Sequence, residues 1–482
     1  MALRTPAQYI ESLRDGRVVY YRGRRIPDVT AHPFFRVAID HAAIDYRLAE
    51  EPRHRALAVA KDLESGEDIS RYYVIPQGVD DLRKRSELIA AATRAGGTMV
   101  TLIKEIGTDA LFALHALSSQ MDKALGTKVH DRVRAYYRYC ARNDLALAVA
   151  QSDPKGDRSL RPSEQEHPDY YLRIVERRND GIVVRGAKVH TSVSVNSNEL
   201  IVLPTRAMEE QDKDYAVAFA APLNTPGLRM ITSVYSQHRE PQEEADYPLS
   251  SKHRMLETLT VFDNVFVPWE RVFLDGQWQF AGPLALGFVD FHRFTAVSYK
   301  LPLLALLTGS ALLMADYNGV SRAGHIREKI AWLVSYEETV RGLLAAAAQQ
   351  CSPVVPGVVA PSRLYTNLAK LRFAENYHQA LAYVQDIAGG LLVTAPGEED
   401  LANPDTAGDI QRYLGGRKGV SARDRLRAIR MISDLTASEF GGYHAVLAMH
   451  AEGSIEAEKL AIAREYNVKA AIAYAREMAG IE

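Results

Sequence analysis

The chain has 482 residues, 47% hydrophobic and 24% charged, and its 58 basic and 60 acidic side chains leave a net charge of −2. That length holds roughly two to four domains' worth of core, and the balanced charge lacks the basic excess of a nucleic-acid binder. Cys140 and Cys351 make neither a disulfide framework nor a Cys-x-x-Cys metal pair, which fits a reducing cytoplasm.

Residues 1–144 read as a mainly helical domain. No apolar leader follows Met1. Thr5 is placed to cap a helix over Pro6 to Leu13, its hydroxyl accepting from free N–H groups of the first turn. Arg17 to Arg25 predicts strand, turn and strand, with Gly23 in the turn, and Asp80–Ala95 and Asp109–Leu125 carry helical periodicity. From residue 145 to 278 the pattern becomes that of an antiparallel β-domain. Leu172–Arg178 and Ile182–Arg185 predict a hairpin, with Asp180-Gly181 supplying the positive φ angles of a tight turn. Strands are expected over Glu199–Pro204, Tyr215–Ala220 and Thr258–Phe262. Residues 279–482 return to helix: Leu304–Tyr317, Ile326–Gln349, Arg363–Ile387, Ala422–Phe440 and Ile455–Ala479. The apolar run Leu301–Met314 is shorter than the roughly 20 residues a bilayer needs, so a buried core helix and no membrane is expected. Arg417, Lys418, Arg423, Arg425, Arg427 and Arg430 read as a solvated helix face.

No G-x-G-x-x-G, P-loop, H-E-x-x-H or G-x-S-x-G motif is present. Asp153-Pro-Lys-Gly-Asp-Arg is a turn whose Lys155 and Arg158 are either a surface ion-pair group or a cradle for pyrophosphate. Gly453-Ser454 opens a helix, either as a simple cap or as an anion site.

Tyr9-Ile-Glu-Ser-Leu-Arg, His32-Pro-Phe-Phe-Arg, Asp153-Pro-Lys-Gly-Asp-Arg-Ser, Asp180-Gly-Ile-Val-Val-Arg-Gly-Ala-Lys, Val261-Phe-Asp-Asn-Val-Phe-Val-Pro-Trp-Glu-Arg and Asp386-Ile-Ala-Gly-Gly-Leu-Leu-Val-Thr follow one another along the chain. Together they resemble the 4-hydroxyphenylacetate 3-hydroxylase family. The run Asp153 to Pro222, with Phe291-His-Arg and Ala315-Asp-Tyr-Asn-Gly, is similar to its 4-hydroxybutyryl-CoA dehydratase branch. The resemblance implies an α+β, acyl-CoA dehydrogenase-like fold: an N-terminal helical domain, a middle antiparallel β-domain and a C-terminal helical bundle. It also implies FAD and a dimer of dimers, with Ile387-Ala-Gly-Gly-Leu-Leu as one candidate interface. The implied flavin contacts are Val149, Gln151, Ser152, Lys155, Gly156, Asp157 and Arg158, then His190, Thr191 and Ser192, and finally Gly453, Ser454, Ile455 and Glu456.

The dehydratase branch holds a [4Fe–4S] cluster with three cysteines and a histidine. His292 matches the histidine and Lys300 a lysine beside the last cysteine, but Thr101, Glu105 and Tyr299 stand at the cysteine positions, so no iron–sulfur cluster and no other metal is expected. The hydroxylase branch grips its phenol with Arg, Tyr and His; here those positions are Ile106, Ala110 and Val149. Thr101, Glu105, Ile106 and Ala110 are the implied substrate positions.

His292 and Tyr299 lie seven positions apart on one helical face, with Thr295 near it and Lys300 beside it. His292 is a candidate base, Tyr299 a donor and Lys300 a stabiliser of negative charge; each is equally a type that a core satisfies structurally. Glu257 is a buried acid or base, or a solvated strand end. Glu105 meets substrate, or pairs with Arg94 or Lys104. The leading expectation is a two-component monooxygenase that receives reduced FAD from a separate reductase and hydroxylates an aromatic, heterocyclic or carrier-bound small molecule. The alternative is a cluster-free acyl-CoA dehydratase or isomerase with His292 as base. A third is a flavin binder without catalysis.

Overall fold

The computed structural model describes residues 3–62, 64–234 and 244–481. Local chemistry sets many of its boundaries. Thr5 caps the helix Pro6–Glu11, as the sequence predicts, though the helix ends two residues sooner, and Gln8 returns a bond that makes the cap a reciprocal box. The strands Val19–Tyr21 and Arg24–Ile26 turn at Arg22 and Gly23, both at positive φ (49° and 76°), the geometry of a two-residue hairpin.

The Arg173–Arg177 and Gly181–Ser192 hairpin forms, but not for the reason expected. Neither Asp180 nor Gly181 has positive φ. Gly181 is needed for space, since a Cβ there would lie 2.2 Å from the Val267 carbonyl oxygen.

Two sheets form the middle of the molecule, mainly antiparallel. The first has six strands in the order Arg24–Ile26, Val19–Tyr21, Leu228–Thr232, Glu257–Pro268, Gly181–Ser192 and Arg173–Arg177. The second orders Val272–Asp275, Val217–Pro222, Glu199–Val202 and Leu147–Ala150. Two pairings are parallel, Val19↔Met230 and Leu147↔Glu199. The N-terminal hairpin thus joins a sheet built mostly from sequence two hundred residues further on.

Helices flank the sheets. Glu105–Leu125 begins four residues earlier than predicted and lies on Leu147–Ala150 so closely that a Cβ on Gly107 would sit 2.1 Å from Leu147 Cβ. The long helix Ala281–Tyr317 is mostly apolar apart from a buried polar stripe, and packs against Val79–Ala95, Glu105–Leu125, Gly324–Gln349 and Arg363–Ala388. With the short turn before it, the span Trp278–Tyr317 is long and apolar enough to cross a membrane, yet 67% of its apolar 18-residue window is buried in the protein, as expected of a core helix.

Two predicted helices are each broken in two. Ala422–Thr436 stops at Ala437, and Ser438 caps a new helix, Glu439–His450. Ile455–Glu465 and Val468–Ala479 are separated by Tyr466 and Asn467, with Asn467 capping the second. The basic stretch is not merely solvated. Arg430 is buried and bonds Glu398 Oε2 at 2.6 Å, and Arg417 and Arg423 pair with Asp316 and Glu398.

Candidate active site

The polar stripe of the long helix meets the helix Glu105–Leu125 at Asp109. His292 Nδ1 lies 3.0 Å from Asp109 Oδ2, Thr295 Oγ1 donates to Oδ1 at 3.0 Å, and Arg85 Nη2 donates to Oδ1 at 2.7 Å. An ionised carboxylate only accepts, so Nδ1 carries the hydrogen and Nε2 keeps its lone pair. Phe288 stacks on the imidazole at 5.0 Å and 13°. The ring is therefore fixed in plane and tautomer, with Nε2 as the nitrogen able to take a proton. Asp109 was not singled out in the sequence, although its place one helical turn after Glu105 points it toward the same neighbours.

Seven residues along, Tyr299 donates to the Glu452 carboxylate, which Lys300 Nζ also reaches at 2.8 Å while standing 3.3 Å from Tyr299 Oη. Lys370 pairs with Glu458 at 2.7 Å, and Arg293 Nε donates to the Glu452 carbonyl at 2.9 Å. Burial pushes the Glu452 carboxyl well up, and burial with the nearby Lys370 charge pulls the Lys300 ammonium well down. The opposed shifts bring the two groups' hold on a proton closer together.

Thr101 and Glu105 also meet. Thr101 Oγ1 lies 2.8 Å from Glu105 Oε1 and 2.8 Å from Asp45 Oδ1, all three side chains buried. Burial and the Glu105 charge raise the Asp45 carboxyl. The expected pairing of Glu105 with Arg94 or Lys104 does not occur: Lys104 Nζ binds Asp144 at 2.6 Å, and Glu105 accepts from the Lys104 backbone N–H and from Thr101. Ile106, Ala110 and Val149 are buried in the apolar core.

Glu257 lies opposite Ser192 across the ladder and accepts from Tyr443 Oη at 2.7 Å and Ser192 Oγ at 2.9 Å. Burial raises its carboxyl to about 7. The folded state then keeps a proton that the unfolded chain has lost, so stability falls as pH rises from 4.5 towards about 7 and levels off above. The Glu257→Gln protein is expected to lack that slope, on the order of 2–3 kcal/mol across the window, in urea titrations at a series of pH values.

The other implied contacts gather around the sheet. His190 is an extra residue in the Gly181–Ser192 strand, between the pairs Thr258↔Thr191 and Thr260↔Lys188, and has φ 54°. Such a bulge redirects the side chains beside it. Thr191 is fully buried, and its Oγ1 has no partner among the described residues. Lys155 (φ 74°) and Gly156 (φ 53°) form a left-handed turn. The reason for the glycine is Gln165 and Tyr170, whose atoms would lie 2.4 and 2.5 Å from a Cβ. Asp153 pairs with Lys188 at 2.9 Å, Lys188 Nζ donates to the Gln151 carbonyl, and the Ser152 carbonyl accepts from Val189 N. Asp157 spends its carboxylate on Ser159.

Lys155, Arg158 and Arg206 make no hydrogen bond or ion pair among the described residues, and the two arginine charges pull the half-buried Lys155 ammonium down, after desolvation. Asp153, the carboxylate that acts on Lys155, is already paired with Lys188, so the three cations are in surplus, which suits an anion. Arg206 was missed because it lies outside the turn.

Gly453 (φ 113°) abuts Arg293, Ser454 caps Ile455–Glu465, and Glu456 makes an exposed pair with Lys459. No hydrogen bond or ion pair joins this turn to the 153–158 loop among the described residues.

Residues 5–274 match the family description "4-hydroxyphenylacetate 3-hydroxylase N terminal", and residues 281–480 match "4-hydroxyphenylacetate 3-hydroxylase C terminal". The chain is 36% identical to the 4-hydroxybutyryl-CoA dehydratase/vinylacetyl-CoA-Δ-isomerase of Clostridium aminobutyricum over 100% of both chains. It is 29% identical to the 4-hydroxyphenylacetate 3-monooxygenase oxygenase component of Thermus thermophilus, over 91% of this chain and 89% of the other. Among solved structures, an oxygen-tolerant 4-hydroxybutyryl-CoA dehydratase from N. maritimus superposes with TM-score 0.93 at 32% identity, covering 100% of this chain and 96% of that one. A 4-hydroxyphenylacetate 3-monooxygenase oxygenase component complexed with FAD gives TM-score 0.90 at 27% identity, covering 98% of each. Two family regions in order, full-length relatives on both branches and a shared fold make this chain a member of the 4-hydroxyphenylacetate 3-hydroxylase family.

Proposed function

We propose that this protein is a monooxygenase that takes reduced FAD from a separate reductase and oxygenates a small molecule, without an iron–sulfur cluster. The observation that carries the reading is the donor set at the three positions where the dehydratase branch has cysteines. Thr101 and Glu105 are spent on each other and on Asp45, and Tyr299 on Glu452. Cys140 is buried against Tyr136 on the helix Val129–Arg142, and Cys351 follows Gly324–Gln349. A cluster takes thiolates as its main ligands, and these residues do not fit one.

They do fit a flavin dinucleotide. Lys155, Arg158 and Arg206 would meet the pyrophosphate with charge-assisted hydrogen bonds. Thr191 Oγ1, buried and without a partner among the described residues, would bond the flavin. When bound reduced, FAD supplies the electrons that activate oxygen. The chain's part is to exclude water and to handle protons: His292 Nε2 accepts one while Asp109 holds the ring, and Lys300 lends its charge to a substrate oxygen while Tyr299, whose one hydrogen goes to Glu452, positions Lys300. The apolar Ile106, Ala110 and Val149 cannot bind a phenol as the hydroxylase branch does, so the substrate is another aromatic, a heterocycle or a carrier-bound acid.

Assembly as a dimer of dimers is part of the reading. Ile387 and Leu392 are used in the monomer's own core, so the Ile387-Ala-Gly-Gly-Leu-Leu segment has little to offer a neighbour. The helix Val468–Ala479 is the better interface: it buries no residue, and Ile472, Tyr474 and Met478 are more than half exposed.

The second reading, a cluster-free acyl-CoA dehydratase or isomerase, is favoured by the His292–Asp109 pair and by the 36% identity to a dehydratase. One experiment separates the two. Anaerobic protein with reduced FAD, mixed with oxygenated buffer, is expected to return oxidised-flavin absorbance in more than one phase and more slowly than free FAD. Reoxidation identical to free FAD, together with anaerobic turnover of vinylacetyl-CoA, would transfer the assignment to the second reading.

A further inference from the structure

A cavity of about 20 Å³ lies where the long helix, Arg363–Ala388 and Glu439–His450 meet the segment preceding Glu105. Its walls include Thr98, Tyr299, Lys300, Phe373 and His444. One water needs roughly 10–15 Å³ of such space and two to four polar partners.

The walls supply those partners. Thr98 Oγ1 and His444 Nε2 are buried and unpartnered among the described residues, and each residue is only 6% exposed. Lys300 Nζ bonds Glu452 and Tyr299 Oη, which leaves one further hydrogen to donate when it is charged and a lone pair to offer when it is neutral. Burial and the Lys300 charge lower the His444 imidazole to about 4, so it is neutral and has a lone pair to offer. Thr98 has φ 76°, a strained conformation for a β-branched residue that only surrounding packing can hold. Two residues with orphaned polar atoms, the Lys300 amine and a strained backbone position thus line one space of the right size.

The geometry points to a bound-water site: one ordered water joins Thr98 Oγ1, His444 Nε2 and Lys300 Nζ, making Thr98 and His444 positioning residues for the Tyr299–Lys300–Glu452 group. The water site stands whether or not the flavin reading is right; only its service to catalysis rests on that reading. The water supplies Lys300 Nζ with a third hydrogen bond and so fixes the direction in which Lys300 points.

The test has two arms, neither of which needs substrate. A crystal structure of the full-length protein at about 2 Å or better is expected to show one water within hydrogen-bond distance of all three atoms, and an empty cavity overturns the proposal. Thr98→Val keeps shape and branching but removes the hydroxyl. If the water is bound, melting temperature falls by about 1–3 °C; if Thr98 Oγ1 is a true orphan, it stays or rises, and the proposal fails. His444→Leu is expected to behave like Thr98→Val. His444→Gln, whose amide oxygen still accepts from water, is expected to recover part of the loss and to retain the water in crystals; no recovery and no water counts against the site.

Discussion

Alanine in place of Asp109 is expected to cost about 3–5 kcal/mol of folding stability, read from urea unfolding against wild type. The carboxylate is 1% exposed and takes hydrogens from Arg85, His292 and Thr295. Removing it leaves the Arg85 guanidinium buried, with only neutral oxygens of Tyr72, Glu105 and Thr108 as partners. An uncompensated buried charge is what makes breaking such a pair expensive. Asp109→Asn separates stability from chemistry. It retains an acceptor for Arg85 but no longer favours the Nδ1–H tautomer of His292 through charge. Reoxidation kinetics of bound reduced FAD should change well beyond the residual stability loss, and a later substrate assay should fall about a hundredfold or more if His292 is the base. Unchanged stability in Asp109→Ala would mean that Arg85 finds other partners, and the site would not be organised around Asp109.

The second large effect is at Glu452. Its carboxylate closes a buried group that also contains Tyr299 and Lys300, with Lys370 4.0 Å away and Arg293 on its backbone carbonyl. Glu452→Leu leaves Lys300 without its carboxylate in a site shared with two further cations, and a loss of about 3–5 kcal/mol is expected. Glu452→Gln should lose less, because the amide oxygen can still accept from Lys300 while its NH2 donates to Tyr299 Oη. Burial already drives the carboxyl toward its protonated form, so the neutral amide is its nearest mimic. Equal losses in the two variants would show that the negative charge itself is needed.

Much of the local structure was legible because it depends on neighbouring residues alone. The Thr5 cap, the Arg22-Gly23 turn and the periodicity of Val79–Ala95 need no distant contact. The breaks after Thr436 and Glu465 were passed over because apolar periodicity continues across them, and the caps Ser438 and Asn467 were not weighed against it. Gly181 was read as a source of positive φ, when its reason lies across the sheet at Val267. The basic stretch read as solvent-facing because its acids, Asp246, Asp316 and Glu398, come from other parts of the chain.

The candidate site divides in the same way. Sequence by itself determined the order of helical and β regions, the stripe His292, Thr295, Tyr299 and Lys300 on one helix, and the cationic turn at Lys155 and Arg158, since each follows from residue type and spacing within one element; the positions without thiols were legible only through the family resemblance. Only the tertiary structure decided which groups hold that stripe. Asp109 stands 183 positions from His292, and Glu452 stands 152 from Lys300. Buried charges must find opposite charges wherever the fold brings them, and no periodicity in a single segment records that choice.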